Sequence, residues 1–354
     1  MKTACAAGRR DQGGRMSTSS EAREVHMVSR PAPSAEVTNF EVVRVPVVAP
    51  SAGELLVRNT FMSVYPYMFG RMHEGPSYAE NYQIGAPLAG AAVGEVVETN
   101  AEGFVVGDLV VSDLGWREYA TSPSSAFNVL EPLEGVSPSV FLGALGTPGM
   151  TGYVGLLDVA EFRPGDIVFV SGAAGAVGSL VGQLAKLRGA AKVIGSAGTD
   201  AKVELLTNEL GFDEAFNYKT TRPRAAMREL AGETGIDVYF DNVGGEHLEA
   251  ALGALNLGGR VALCGVISQF SDERPAGPRN LLYAIWKNLT LRGFLVFHYA
   301  HRAEEFRREV GQAILDGTIV NRETVVRGIE NAPGAFIDML HGKNEGKMVV
   351  QLAD

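Results

Sequence analysis

Short apolar runs alternate with amphipathic stretches along the middle of this chain. From about residue 150 the strand-like runs are IVFVSG (167–172), KVIGSAG (192–198), EAFNYK (214–219), DVYFDNVG (237–244), RVALCG (260–265) and LTLRGFLV (289–296). Helix-length segments separate them. Such alternation predicts a parallel sheet covered on both faces by helices, because parallel neighbours need long crossovers. The flanks read differently. ELLVRNTFMSV (54–64), AAVGEVVET (91–99) and DLVVSDLGWREYATS (108–122) are short, Val-rich and punctuated by Gly, Pro and Asn, the pattern of β structure. After about residue 316 the chain returns to short β-like pieces and ends in GKMVVQL (346–352). The expected fold class is α/β, with a doubly wound parallel sheet inserted into a β-rich domain.

One turn in the inserted part carries chemistry. SGAAGAVGS (171–179) follows the first strand and opens a helix whose apolar face is Val177, Leu180, Val181, Leu184 and Leu187. Lys186 and Arg188 fall in its last turn and Gly189 closes it. The register Ala173-x-Gly175-x-x-Gly178 is a variant of the dinucleotide turn G-x-G-x-x-G. Gly175 allows the backbone to approach a pyrophosphate, and Gly178 allows the helix to pack closely on the strand. The helix N-terminal amides then face the phosphates. The next strand ends in Gly195-Ser196-Ala197-Gly198 without the carboxylate that binds an NAD ribose. Asp200 reads as the cap of the following helix, and Lys202 lies on its first turn. A small polar strand end beside a cation favours NADP; the plainer reading of Lys202 is a solvated helix residue.

Composition narrows the class. The chain has 354 residues, 46% of them hydrophobic, which suits two domains better than one. A net charge of −10 argues against nucleic acid as a partner. Two cysteines, Cys5 and Cys264, exclude a disulfide framework and fit a reducing, cytoplasmic compartment. Of six histidines only His298 and His301 lie at ligand spacing, so no metal site is expected. Residues 135–157 carry no charge, but Pro138, Pro148 and six glycines interrupt any spanning helix. A buried domain junction is expected there, and no membrane span. MKTACAAGRRDQGGR lacks a long apolar stretch and reads as a disordered tail, with Met16 an alternative start.

FMSVYPYMFGRM, GTPGMTGYVGLL, SGAAGAVGSLVGQLAK, LGFDEAFNYKT, YFDNVGG, LCGVIS and GKNEGKMVV occur in order. They resemble the zinc-independent prostaglandin reductase/leukotriene dehydrogenase branch of the medium-chain dehydrogenases/reductases, to which curcumin-type and plant double-bond reductases are similar. The resemblance runs from about residue 28 to the end, so the expected tail covers 1–27; it implies a GroES-like domain over 28–147 plus 316–354, and a Rossmann domain over 148–315. It implies NADPH and a homodimer. It also implies site residues. Gly175 and Ala176, Val177, Gly178 and Ser179 would form the pyrophosphate turn, with Lys202 and Tyr218 as the 2′-phosphate clamp. Asn242 would lie at the cofactor crevice, which agrees with its place at the carboxyl end of an apolar strand. Cys264, Gly265, Val266, Ile267, Ser268 and Phe270, with Phe294, Leu295 and Val296, would flank the nicotinamide. Asn344 would reach back to the cofactor. As a side chain, Cys264 reads as a small core residue rather than a nucleophile.

The chain departs from the family pattern S-V-D-P-Y-M-R-G-R-M at two places, with Tyr65 for the Asp and Phe69 for the Arg. Tyr67 and Arg71 keep it. Phe270 stands where the family often has a Tyr. The expected activity is NADPH-dependent reduction of the carbon-carbon double bond of a small hydrophobic α,β-unsaturated ketone or aldehyde. A phenol suits the proton-donor role, since its pKa near 10 is close to that of an enol. Tyr67 is the candidate, set against a packing tyrosine whose hydroxyl meets a backbone partner. A quinone reductase on the same scaffold and a non-catalytic NADPH-binding protein stand as alternatives.

Overall fold

The structure, a computed structural model, describes residues 21–75, 79–269 and 277–353. The described residues open with β1 (Glu21–Met27) and β2 (Phe40–Pro46), an antiparallel pair. A sheet of seven strands follows, built from β3 (Glu54–Ser63), β4 (Ala92–Thr99), β5 (Leu109–Ser112), β6 (Tyr119–Pro123) and β7 (Asn128–Val129), with two strands from the chain's end. Between β3 and β4 runs the short helix α1 (Tyr67–Arg71).

The uncharged stretch after residue 135 is a buried junction, as its sequence suggests. It contains α2 (Thr147–Val154), and Gly152 lets α2 lie close to the next helix, since a Cβ there would meet a Val181 methyl at 3.1 Å. One apolar core runs through it, from Val93 of β4 through Val140, Leu142 and Tyr153 to Val181 and Val349.

The inserted domain is a six-stranded sheet. Its strands are β8 (Ile167–Val170), β9 (Lys192–Ala197), β10 (Glu214–Asn217), β11 (Ile236–Asp241), β12 (Leu255–Leu263) and β13 (Thr290–Gly293). All pairs are parallel, and the order is β10-β9-β8-β11-β12-β13. The helices are α3 (Ala176–Leu187), α4 (Asp200–Asn208), α5 (Pro223–Ala231), α6 (Gly245–Ala254), α7 (Leu282–Trp286) and α8 (Ala303–Leu315). Strand order reverses between β8 and β11, so the carboxyl ends of these two strands open a crevice. The chain then returns through β14 (Glu323–Arg327), α9 (Ala332–Leu340) and β15 (Lys347–Gln351). β15 runs antiparallel to β3, which closes the insertion.

Four sequence expectations need correction. Residues 21–27 are strand β1 rather than tail; Val25 and Met27 are fully buried, and Arg23 pairs with Glu118 at 2.6 Å. Residues 332–340 form helix α9, not a β piece, because Pro333 sits in the first turn, where its missing N–H costs nothing. Leu187 continues the face of Leu180, Val181 and Leu184 but is exposed, because it ends α3 beyond the buried turns. The cap of α4 is Thr199, whose hydroxyl accepts from the Lys202 amide at 3.3 Å, while Asp200 is the first helical residue.

Candidate active site

The glycine turn is fixed by one left-handed residue and one close backbone approach. Gly172 holds φ +58°, the left-handed conformation. Its carbonyl would lie 2.6 Å from a Cβ on Gly178, and the Ala173 Cα 2.8 Å from it. The left-handed residue is thus Gly172 and not position 173, which explains why Ala173 can stand where the motif has its first glycine. Gly175 is the N-cap of α3. Ala176 and Val177 are half-exposed at the mouth of the turn, and Ser179 is buried behind it.

Across the crevice, Asn242 follows β11. Its side-chain amide donates to the Ser171 carbonyl at 2.8 Å, and its backbone N–H donates to the Ser171 hydroxyl oxygen at 3.0 Å. The buried Asp241 carboxylate organises this corner. It accepts from Tyr239 Oη at 2.6 Å, Gly244 N at 2.7 Å and Val243 N at 2.9 Å. Burial raises the Asp241 carboxyl, and these donors oppose the shift. The sequence reading missed this network; its signal was an acid closing the apolar run IDVYF.

Cys264 and Gly265 follow β12, and both amides donate to the Asp241 carbonyl at 2.9 Å. Burial pushes the Cys264 thiol up to about 12, so it is inert as a nucleophile. Val266 is exposed, Ile267 half-exposed, and Ser268 Oγ donates to the Val243 carbonyl at 2.5 Å. Leu295 and Val296 follow β13 on the same side of the sheet. Phe294 packs against the junction, where a Cβ on Gly155 would sit 2.7 Å from its ring. Phe270 lies outside the described residues.

A second corner forms beyond β9 and β10. The Tyr218 hydroxyl would be 3.0 Å from a Cβ on Gly198, and Lys219 Cε 3.4 Å. The Tyr218 ring meets His247 edge to face at 5.2 Å. Lys202 Nζ donates to the Gly342 carbonyl at 2.7 Å. Burial lowers the Lys202 ammonium, Glu345 raises it and Lys219 lowers it further. Two cations therefore share this corner, which also admits close approach only because Gly198 lacks a side chain. Lys219, inside the quoted FNYKT, is a second cation that the sequence reading passed over.

The C-terminal segment joins the parts. Gly346 forms a parallel bridge with Gly175 and donates to the Ala174 carbonyl at 2.8 Å. Asn344 is buried, and its amide donates to the Gly346 carbonyl at 2.7 Å. Lys347, next in the chain, lies under the ring of Tyr65 at 4.0 Å. Tyr65 stacks on Tyr67 at 5.2 Å. The turn, the C-terminal strand and the PYM motif are thereby brought side by side. Among the described residues, no three His, Cys, Asp or Glu side chains gather as a metal site. No helix among them is long and apolar enough to cross a membrane.

A Rossmann sheet with a tight glycine turn, inserted into a GroES-like β domain, defines a two-domain dinucleotide-dependent oxidoreductase. Similarity to known proteins narrows the class. Residues 23–130 match the N-terminal domain of oxidoreductase, and residues 176–313 match the domain described as zinc-binding dehydrogenase. The chain is 42% identical to the 2-alkenal reductase (NADP(+)-dependent) of Nicotiana tabacum, over 85% of this chain and 88% of that one. It is 38% identical to the NADPH-dependent curcumin reductase of Escherichia coli, over 92% and 96%. The crystal structure of CurA in complex with NADPH from Vibrio vulnificus superposes with a TM-score of 0.89 at 39% identity, over 94% of this chain and 99% of that one. The chain belongs to the prostaglandin reductase, curcumin reductase and alkenal reductase family of the medium-chain dehydrogenases/reductases.

Proposed function

We propose that this protein is an NADPH-dependent reductase of the carbon-carbon double bond of small hydrophobic α,β-unsaturated ketones and aldehydes. The observation that carries this reading is the pairing of a glycine-rich dinucleotide turn with a corner holding two lysines and a tyrosine, in a chain of this family. Bound NADPH supplies the hydride, delivered to the β-carbon. The chain's own residues do the rest. The turn from Gly175 to Ser179 offers helix N-terminal amides to the pyrophosphate. Lys202, Tyr218 and Lys219 hold the 2′-phosphate. Asn242, the segment from Cys264 to Ser268, Phe294 to Val296 and the Asn344 loop wall the nicotinamide. Tyr67 binds the carbonyl oxygen, where negative charge develops, or holds the proton that completes the reduction at the α-carbon.

The protein acts as a homodimer in the cytoplasm. Support for the dimer is the outer edge of β13, which pairs only with β12 among the described residues. Large exposed apolar side chains stand near it, Leu257, Leu282, Ile285 and Trp286.

The test follows NADPH absorbance against enones, enals, quinones and 2-alkenoyl thioesters, with product analysis. Enone consumption giving the saturated carbonyl supports the reading. Hydroquinone formation without enone turnover replaces it with a quinone reductase. NADPH binding with no turnover on any substrate replaces it with a non-catalytic binder.

A further inference from the structure

Lys347 opens β15 and is 4% exposed, an uncommon place for an ammonium. Its Nζ donates to the Val64 carbonyl at 2.6 Å and lies 4.0 Å from the centre of the Tyr65 ring. Tyr65 stands where the family pattern carries an acid. The aromatic face offers the partial negative charge that a carboxylate would otherwise supply. Tyr65 in turn stacks on Tyr67 at 5.2 Å, with planes 21° apart. Both contacts of Lys347 thus fall on the Val64–Tyr65 step that leads into α1, and α1 begins at Tyr67.

We propose that Lys347 is a positioning residue for Tyr67: its ammonium, held between the Val64 carbonyl and the Tyr65 ring, sets the Tyr65–Tyr67 stack in the geometry the reaction uses. This rests on the reading of Tyr67 as the group that meets the substrate carbonyl.

The surroundings make the device sensitive to protonation. Burial pushes the Lys347 amine down to about 7, and Glu323 pulls it up. Glu323 is the cross-strand neighbour on β14, but its oxygens accept from Ser139 Oγ at 2.6 Å and Asn321 Nδ2 at 3.0 Å. Arg322, beside it, gives only its carbonyl, to the Lys347 amide at 2.9 Å. The Gly143 side is apolar contact with the lysine stem, where a Cβ would meet Lys347 Cβ at 3.3 Å. No group here fixes the charge firmly. As pH rises through neutrality the amine loses its proton, the ring loses its cation, and Tyr67 loses its support.

Two measurements test this. The first uses ε-13C-labelled lysine and NMR on the full chain, with the Lys347 signal assigned by its loss in Lys347→Met. Its midpoint should lie near neutrality. It should move down in Tyr65→Leu and up by about one unit or more in Tyr65→Asp. A midpoint that neither variant moves overturns the contact. The second measures turnover at saturating NADPH. The parent should lose turnover as pH rises through that midpoint, and Tyr65→Asp, which lacks the ring that stacks on Tyr67, should be slow at every pH across that range. Lys347→Met should be about tenfold slower, flat across neutral pH, and unchanged in NADPH affinity. Lys347→Met with Tyr67→Phe should lose no more than Tyr67→Phe alone. Losses that multiply, or a parent profile flat across neutrality, overturn the positioning role. A parent that reduces no enone overturns the proposed function instead, and the NMR arm still reads the Lys347–Tyr65 contact.

Discussion

Lys202 donates its ammonium to the carbonyl of Gly342, 2.7 Å away and 140 residues further along the chain. The contact holds the lysine at the corner shared by Tyr218 and Lys219, where a 2′-phosphate would complete the charge balance. A hydrogen bond to a charged group is worth about 1.5–3 kcal/mol. Lys202→Ala should therefore raise the KM for NADPH by roughly tenfold to a hundredfold and leave that for NADH nearly unchanged. Steady-state kinetics with both cofactors check this, and equal losses for the two remove the phosphate role.

Gly178 is the position of closest approach between α3 and the turn. A methyl there would lie 2.6 Å from the Gly172 carbonyl. Gly178→Ala should force the helix away from β8, cost about 1–3 kcal/mol, and weaken NADPH binding more than it weakens the fold. Isothermal titration with NADPH beside a urea melt separates the two. A variant that binds NADPH like the parent contradicts the cradle.

Tyr67→Phe should lower turnover about a hundredfold or more, the loss typical of one oxyanion donor at about 2.7–4 kcal/mol, with NADPH affinity unchanged. Phe270→Tyr should be tolerated or mildly activating on small enones. Turnover of Tyr67→Phe within about threefold of the parent, roughly 0.7 kcal/mol, assigns the proton to water and leaves Tyr67 a packing role.

His247 gives a stability signature. It is buried between Phe216, stacked at 6.5 Å, and Tyr218, and burial lowers its imidazole to about 4 from the ordinary 6.5. Between those values the unfolded chain binds a proton that the folded one excludes. The neutral ring therefore contributes fully above pH 6.5, and stability falls as pH drops toward 4, by about 3 kcal/mol. His247→Phe should flatten that slope in urea midpoints measured across the same range. An unchanged slope assigns the acid sensitivity to other groups.

A metal chelator should change neither turnover nor Tm, because no ligand cluster forms among the described residues. Stoichiometric zinc, lost together with activity, contradicts this.

The sequence by itself determined the Rossmann domain. All six of its strands stand in the segments the apolar runs mark; the central β8 and β11 are the most continuously apolar, since a strand buried on both faces must be apolar throughout, whereas the edge strands β10 and β13 are less buried. It also determined the glycine turn, because close packing of a helix on a strand can be met only by residues without side chains. Local rules failed where a long-range partner overrode them. β1 carries Glu21, Arg23 and Glu24, and reads as tail until Glu118 accepts from Arg23 and Val25 finds the core. Residues 332–340 fall in a stretch that reads as short β-like pieces, yet packing of Phe336 and Met339 makes them α9. The burial of Lys347 was decided entirely by tertiary structure. A lysine between Gly346 and an apolar strand has no local reason to leave water; Tyr65 and the Val64 carbonyl, 283 residues away, supply the partners that make its burial tolerable.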